Sequence, residues 1–477
     1  MKNIARGLRT TPLTPRQGHQ PRTGQTGACG AAGCERALLE PCQAHLEVCL
    51  VLHPRWILVP RTAPLLECET RRTGIYDNVQ FYHQKFDEMG LTPDDLRELG
   101  DLPKFPLTKK TDLRDNYPFG LFAVPLNEII RIHASSGTTG KPIVVGYTRH
   151  DIEDVWTEVM ARSCVSSGMH QGDVVQNAYG YGLFTGGLGF HYGAERIGCT
   201  VVPISAGNTE RQLMIMEDFG TTVLVCTPSY SVYLGEKMEQ MGLRGNMKIR
   251  MGVFGAEPWS ENMRQKIEEK LGIEAMDVYG LIEITGPGVS IDCLEKNGLH
   301  IWSDHFYPEI VDKETKEPVA EGEQGDLVFT TMTKEGIPMC RYDTKDLATL
   351  NYEKCACGRW HPRHSKIVAR SDDMLKIRGV IVFPSEIESV LLKIPGVGEY
   401  YEIIVDRDIL DNLRVRIELT PEAFSDEVKD LENFKNRIEK ELFTILQVQC
   451  DVELVPPGTI VRSEGKAKRV IDLRKEI

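Results

Sequence analysis

What the 477-residue sequence lacks narrows it first. No run reaches the roughly 18 uninterrupted apolar residues that a membrane-crossing helix needs. No charged start with an apolar run and a small-residue cleavage site marks a signal peptide. A cytoplasmic protein with no membrane partner is expected. Positive charge is short: Lys and Arg number 56 against 69 Asp and Glu, a net charge of −13. A surface this acidic repels phosphodiester backbones unless a local basic patch intervenes, so nucleic acid is not an expected partner. Low-complexity tracts and internal repeats are missing, which excludes solenoids and repeat arrays. What is there fits a globular protein: 41% apolar and 26% charged residues, with 43 Gly and 26 Pro. The length is about three times a usual domain, so two or more domains are expected.

Aspartate is absent from the first 72 residues, which carry ten Lys or Arg and five Glu; removing that +5 from −13 leaves −18 on the rest. The same segment holds five of the thirteen cysteines, namely Cys29, Cys34, Cys42, Cys49 and Cys68. It shows neither helical nor strand periodicity, and Pro54 and Arg55 break its one apolar run. Residues 1–72 read as a disordered or mis-assigned extension; an organelle transit peptide is the weaker alternative, since an amphipathic helix is missing. In a reducing cytoplasm the eight later cysteines read as core residues, reactive thiols or metal ligands before disulfides, and most as plain core.

From about residue 73 the pattern becomes regular. VQFYHQKFDEMG reads as a helix ending at a glycine. Strand-like runs then alternate with helical ones, from IIRIHASS through DVVQNAYG, CTVVPIS, TTVLVCTPS and KIRMGVFG to EAMDVYG. Short buried strands joined by crossover helices predict an α/β fold of mainly parallel, layered sheets covered on both faces. After residue 325 the runs look antiparallel. The tail has EIESVLLKIP, a charged helix DEVKDLENFKNRIEKELFTIL and the strand VQCDVELV, which predict a compact α+β unit. The expected division is a large N-terminal domain over 73–370 and a small mobile C-terminal domain over 371–477, hinged near Arg370 to Asp373.

The most informative stretch is Ser135-Ser136-Gly137-Thr138-Thr139-Gly140-Lys141-Pro142, placed after IIRIHA. Two glycines let N–H groups turn inward, hydroxyls add short donors and a lysine adds charge, which makes a cradle for a polyphosphate. It is not a Walker loop, because Pro142 follows Lys141 where Ser or Thr would bind magnesium. Taken alone, it has a flexible Ser/Thr/Gly surface loop as its weaker alternative reading.

It does not stand alone. SSGTTGKP, GAEPW, VYGLIE, RYDTKDL, RSDDMLKIRG and SEGKAKR occur in the order found in adenylate-forming enzymes. YGYGLFTGGLGFHYGAE with SDDMLKIRGVIVFPSEIE narrows the resemblance to phenylacetate-CoA ligases, over residues 73–477. The resemblance implies a ligase of phenylacetate catabolism that takes ATP, Mg2+ and coenzyme A. A carboxylate would attack the α-phosphate of ATP, and the CoA thiol would then displace AMP. The small-molecule partner is an aryl carboxylic acid, phenylacetate first and indoleacetate close behind; a homodimer is left open.

The family's site residues carry over onto matching positions. Ser135, Ser136, Gly137, Thr138, Thr139, Gly140 and Lys141 would hold the β- and γ-phosphates. Glu283 would bind magnesium, as a hard carboxylate suits a hard cation, and Tyr279 and Gly280 would border the adenine. Gly255, Ala256 and Glu257 would lie between adenine and acyl pocket, the glycine for close backbone approach. Asp346 would accept both ribose hydroxyls, with Arg370 reaching the same sugar. Tyr179, Tyr181 and Phe184, among glycines, would wall an aryl pocket with Gly255. Lys466 would stabilise the charge building on the α-phosphate, Asp372 would be the hinge, and Lys376, Arg378 and Gly379 would line the CoA entrance. The family more often has Thr or Ser at Ile282, and Gly is common at Lys345 and Ala369.

Cys355 and Cys357, with Cys293 and His300 earlier, form a Cys3His set of the kind that binds structural zinc. Reduced, unliganded thiols are the alternative, and His361, His364 and Cys340 are substitutes for one ligand. Two other functions are weighed: a catalytically silent nucleotide-binding module, suggested by Ile282 and Lys345, and loading of a carrier-protein thiol. Intact Glu283, Asp346 and Lys466 argue against silence.

Overall fold

A four-residue apolar run bounded by turns is too short for a stable helix and hides both faces only inside a layered sheet. VLVC does so, with all four residues buried. The computed structural model describes residues 74–476 apart from 136–140, 368, 379, 408–410, 425–427 and 464–466. The expectation for residues 1–72 lies outside the described residues.

The described chain opens with α1 (Gln80–Glu88), α2 (Lys110–Asp115), an antiparallel ribbon of β1 (Arg131–Ala134) and β2 (Val144–Tyr147), and α3 (Thr157–Ser166). Strand and helix then alternate: β3 (Val174–Asn177), α4 (Gly186–Arg196), β4 (Thr200–Val202), α5 (Thr209–Asp218), β5 (Val223–Cys226), α6 (Pro228–Gln240), β6 (Met251–Gly255), α7 (Glu261–Leu271) and β7 (Glu274–Leu281). These strands lie parallel in the order β4-β3-β5-β6-β7. The sheet continues antiparallel through β8 (Gly286–Ile291) and β9 (Leu299–Ile301). A separate antiparallel sheet holds β10 (Phe306–Val311), β11 (Gly325–Thr331) and β12 (Tyr342–Ala348). Two short strands, β13 (Leu350–Asn351) and β14 (Arg363–His364), complete the first sheet beyond β9.

The α/β class stands, and its crossover helices cover both faces of the parallel half. Phe190 and Ala194 of α4 and Met160 and Cys164 of α3 pack on one face, while Leu213 and Met216 of α5, Leu234 and Met238 of α6, and Ile267 and Leu271 of α7 pack on the other. Antiparallel pairing occurs earlier than residue 325, in the β1–β2 ribbon and, within the large sheet, from β8 onward, where the hairpin after β7 turns the chain straight back. Local signals set the helix ends: Thr227 caps α6 ahead of Pro228, Ser260 caps α7, and Gly272 at φ +66° stops it.

The tail begins with the hairpin β15 (Leu375–Ile377) and β16 (Val380–Val382), followed by α8 (Pro384–Leu391). Then come β17 (Val397–Arg407), β18 (Asp411–Leu419), α9 (Val428–Leu446), β19 (Asp451–Val455) and β20 (Val470–Asp472), with the sheet ordered β19-β18-β17-β20. Ile438, Leu442 and Leu446, one helical turn apart along α9, are buried against Ile403, Val415 and Ile417. Each such side chain contributes about 1.5–3 kcal/mol by leaving water, which gives the tail an apolar core of its own. Cys164, Cys199, Cys226, Cys340 and Cys450 are buried free thiols, as core residues should be. Among the described residues no helix is long and apolar enough to cross a membrane.

Candidate active site

Loops that leave the carboxyl ends of adjacent parallel strands converge, and ligands of open α/β sheets bind there. Strand β6 ends at Gly255 and runs into Ala256 and Glu257; β7 ends at Leu281 and leads to Glu283. These loops and β12 enclose a cavity of about 460 Å³. Ala256, Glu257, Tyr279, Gly280, Glu283, Asp346, Arg370 and Asp372 all line it. Eight of the residues picked from motifs scattered over 117 positions therefore meet at one place.

Gly255 is required for a different reason than the one expected. A Cβ there would lie 2.2 Å from the Val278 carbonyl oxygen, so the close approach is to the neighbouring strand. At Gly280 a Cβ would lie 2.0 Å from the Gly286 carbonyl oxygen, across the β7–β8 turn. Lys345, where relatives often have glycine, sits at φ +67°, and Ala256 at φ +73°. The Lys345 ammonium pairs with Asp343 at 2.6 Å, which offsets the strain of a side chain at that positive φ.

Asp346 is held before any sugar arrives. Its Oδ2 accepts the Tyr279 hydroxyl at 2.5 Å and its Oδ1 accepts the Arg370 Nη1 at 2.9 Å. Burial lifts the Asp346 carboxyl above its ordinary range, and the guanidinium of Arg370 opposes that. Each carboxylate oxygen has a second lone pair, so a vicinal diol can still be accepted. Arg370 also forks onto Asp372, with Nε to Oδ1 at 2.8 Å and Nη2 to Oδ2 at 3.0 Å. One guanidinium thus ties Asp346 to Asp372.

Ser136, Gly137, Thr138, Thr139 and Gly140 lie outside the described residues, as do Gly379 and Lys466. Ser135 closes the neck of the phosphate loop: its N–H donates to the Ile143 carbonyl and its Oγ accepts the Ile143 N–H, both at 2.9 Å. Lys141 is exposed, 5.2 Å from the ring centre of Tyr117. Sequence reasoning missed the cations that α2 and the residue before it bring to the cavity wall, Lys109, Lys110 and Arg114. The KKTDLR segment carries no glycine-rich signal, and only tertiary folding places it there. It also missed Lys334, which is buried under the site with Nζ donating to the Glu283 carbonyl at 3.2 Å and held down to about 8 by burial. Tyr342 was missed too; it lines the same cavity as Glu283, and burial pushes its hydroxyl pKa well up, with the nearby Glu283 carboxylate adding to it. On the cavity wall itself, Trp259 Nε1 donates to Asp277 at 2.9 Å, and burial raises the Asp277 carboxyl to about 6.

The aromatic trio is not brought to this cavity. Tyr179 is buried and stacked on Phe190 at 5.6 Å, Tyr181 bonds Asn177 and His191, and Phe184 is 48% exposed. On the CoA side, Lys376 and Arg378 are exposed on the β15–β16 hairpin, with Arg378 donating to the Asp411 carbonyl at 2.8 Å.

A second cluster stands at the antiparallel end of the large sheet. The ligand atoms of Cys293, His300, Cys355 and Cys357 all lie within 4.8 Å of one another. The Cys293 and Cys355 sulfurs are 3.8 Å apart, and Cys357 Sγ is 3.3 Å from His300 Nε2. His300 Nδ1 faces the His361 carbonyl at 3.3 Å, which orients the ring. Of the substitutes, His364 Nε2 is occupied by Ser290 Oγ at 2.5 Å, and the His361 ring packs on Trp302.

Two family models match: "AMP-binding enzyme" over residues 88–333 and "AMP-binding enzyme C-terminal domain" over residues 379–474. The phenylacetate-coenzyme A ligase of Thermus thermophilus is 50% identical over 417 residues, covering 84% of this chain and 94% of that protein. The chain belongs to the phenylacetate-CoA ligase family of AMP-binding enzymes. Among solved structures, 2-hydroxyisobutyryl-CoA ligase in its postadenylation state, in complex with R3-HIB-AMP, is similar at TM-score 0.82 and 30% identity, over 89% of this chain and 92% of that one. The same ligase with 2-HIB-AMP and CoA in its thioesterification state gives TM-score 0.64, at 30% identity over 88% of this chain and 92% of that one. This family member therefore resembles the postadenylation arrangement more closely. Consistent with that, the Ala467 N–H, next in the chain after Lys466, donates to Glu257 Oε2 on the cavity wall at 2.9 Å.

Proposed function

We propose that this protein activates an arylacetic acid, phenylacetate first, as its adenylate and passes the acyl group to coenzyme A. The observation that supports it most is the cavity in which Tyr279, Glu283, Asp346 and Arg370 converge, in a chain half identical to phenylacetate-CoA ligases over most of its length. In the first half-reaction a carboxylate oxygen attacks the α-phosphorus and the bond to pyrophosphate breaks. In the second the CoA sulfur attacks the acyl carbon, the bond to AMP breaks and the thiol proton is lost.

On this reading Asp346 holds the ribose diol, Tyr279 borders the base, and the loop from Ser135 to Lys141 holds the outer phosphates. Lys109 and Lys110 on the cavity wall add positive charge on that side. Glu283 would hold Mg2+, which neutralises phosphate charge that otherwise repels the incoming carboxylate. Residues up to about 370 hold the nucleotide, and 371–477 move about Asp372, first presenting Lys466 and then the hairpin of Lys376 and Arg378. The reducing cytoplasm is the compartment that suits eight free thiols.

The Cys3His cluster is proposed as a structural zinc site. Tetrahedral zinc with Zn–S bonds of about 2.3 Å sets its ligand atoms about 3.8 Å apart, and the Cys293–Cys355 separation is 3.8 Å.

Pyrophosphate release with a panel of carboxylic acids tests the function. Phenylacetate should stimulate it most, and CoA should be consumed with equal stoichiometry. Release that no aryl acid stimulates would favour the silent nucleotide-binding module, and adenylate formed without CoA consumption would favour a carrier thiol.

A further inference from the structure

The tail is fastened to the large region by a seam of polar contacts away from the cavity. On α8, Glu388 is 4% exposed and its Oε1 accepts the N–H of Ser260, the residue that caps α7, at 3.1 Å. Its Oε2 accepts the Tyr401 hydroxyl at 2.7 Å and pairs with Arg469 from the tail's last loop. Beside it, Asn262 Nδ2 donates to the Ser389 carbonyl at 3.2 Å. Along α6, Glu236 Oε2 accepts the Tyr400 hydroxyl at 3.1 Å and lies 3.8 Å from Arg462 Nε. The Arg462 guanidinium covers the Tyr400 ring at 3.4 Å and also pairs with Glu418. Lys266 and Lys270 of α7 each stand 3.5 Å from Glu399. Among the described residues, Leu392 is the buried apolar side chain that the tail lends to the large region's core cluster, with Tyr400 packed partly buried against it.

This seam differs from a static domain core. It is built mostly from directional polar contacts, which re-form with water once separated, and it contains little apolar area, whose exposure would resist opening. Such an interface favours one orientation and still lets go. The overall arrangement is the one nearer the postadenylation state of the 2-hydroxyisobutyryl ligase, so any arrangement with the tail rotated away from α6 and α7 must break the contacts that Ser260, Asn262, Glu236, Lys266 and Lys270 make with it.

We infer that Glu236, Glu388, Tyr400 and Arg462 are positioning residues that latch the tail in the orientation for adenylate formation, and that they release it for thioester formation. The inference rests on the two-step reading above. None of these four lines the nucleotide cavity, so their effect passes through tail orientation.

The test separates the half-reactions in the full-length protein. Adenylation is followed as phenylacetate-dependent pyrophosphate–ATP exchange, and thioester formation as conversion of supplied phenylacetyl-adenylate with CoA. Glu236→Ala removes one anchor on a helix surface, where folding is not at stake. Weakening a two-state preference shifts population away from the favoured state, so exchange should fall about tenfold while the second half-reaction stays level or quickens. Glu236→Gln keeps an acceptor for Tyr400 and should retain more exchange than Glu236→Ala. Arg462→Ala, approaching from the other side, should reproduce the split. Equal loss in both half-reactions, or no change in either, overturns the latch. Wild-type protein without any acid-dependent exchange overturns the two-step reading instead, and the latch with it.

Discussion

Lys466→Ala should reduce phenylacetate-dependent pyrophosphate–ATP exchange by on the order of 10²–10³, the loss seen when one preorganised charge-stabilising group is removed from a transition state. Conversion of supplied phenylacetyl-adenylate and CoA to thioester should stay within about threefold of wild type, because on the proposed two-step reading the tail has by then turned and carried Lys466 away from the nucleotide. The reason lies in the chain around it. Ala467 donates to Glu257 Oε2 while Glu257 Oε1 accepts the Ser229 N–H at 2.8 Å, so the carboxylate is fixed from both sides and anchors the loop that carries the lysine. Lys468→Ala, two residues on, should leave exchange near wild type. Equal loss in both half-reactions of Lys466→Ala would remove that residue from the adenylation step.

The second large effect concerns stability. Protein purified without chelator should carry about one equivalent of zinc, and less than half an equivalent would count against a four-ligand site. Cys355→Ser and Cys357→Ser should each lose the metal and lower the melting temperature by about 5 °C or more, or roughly 2 kcal/mol at 2–4 °C per kcal/mol. The cluster ties the 355–357 loop to β9 and to the segment after β8, contacts that join positions some 60 residues apart. Unchanged melting in both variants with full zinc would place the ion elsewhere.

The sequence was most legible where local pattern and spacing carry the chemistry. Short β-branched runs such as VLVC and MGVFG have one low-energy home, the interior of a layered sheet, and both are strands. Tyr279, Glu283 and Asp346 were legible because ordered motifs bracket them, and the fold brings them to one cavity. At Gly255 the missing Cβ makes room for Val278 of the next strand, a pairing that no single motif encodes. The aromatic and glycine pattern around Tyr179 invited a pocket reading, but burial of a ring against Phe190 satisfies the same composition. Lys109, Lys110 and Lys334 escaped notice for the opposite reason. A lysine in a polar segment looks solvated until distant elements close around it, as the Tyr147 ring and the Glu283 carbonyl do around Lys334.

The account stands on an oxygen of the acid attacking the α-phosphorus of ATP inside the cavity of Asp346 and Glu283. Phenylacetate labelled with ¹⁸O in both carboxylate positions, turned over with ATP and CoA, tests this most directly. Attack at the α-phosphorus followed by thiol displacement at the acyl carbon must leave one labelled oxygen in each AMP and none in pyrophosphate. AMP free of label, or label appearing in inorganic phosphate beside ADP, would contradict it.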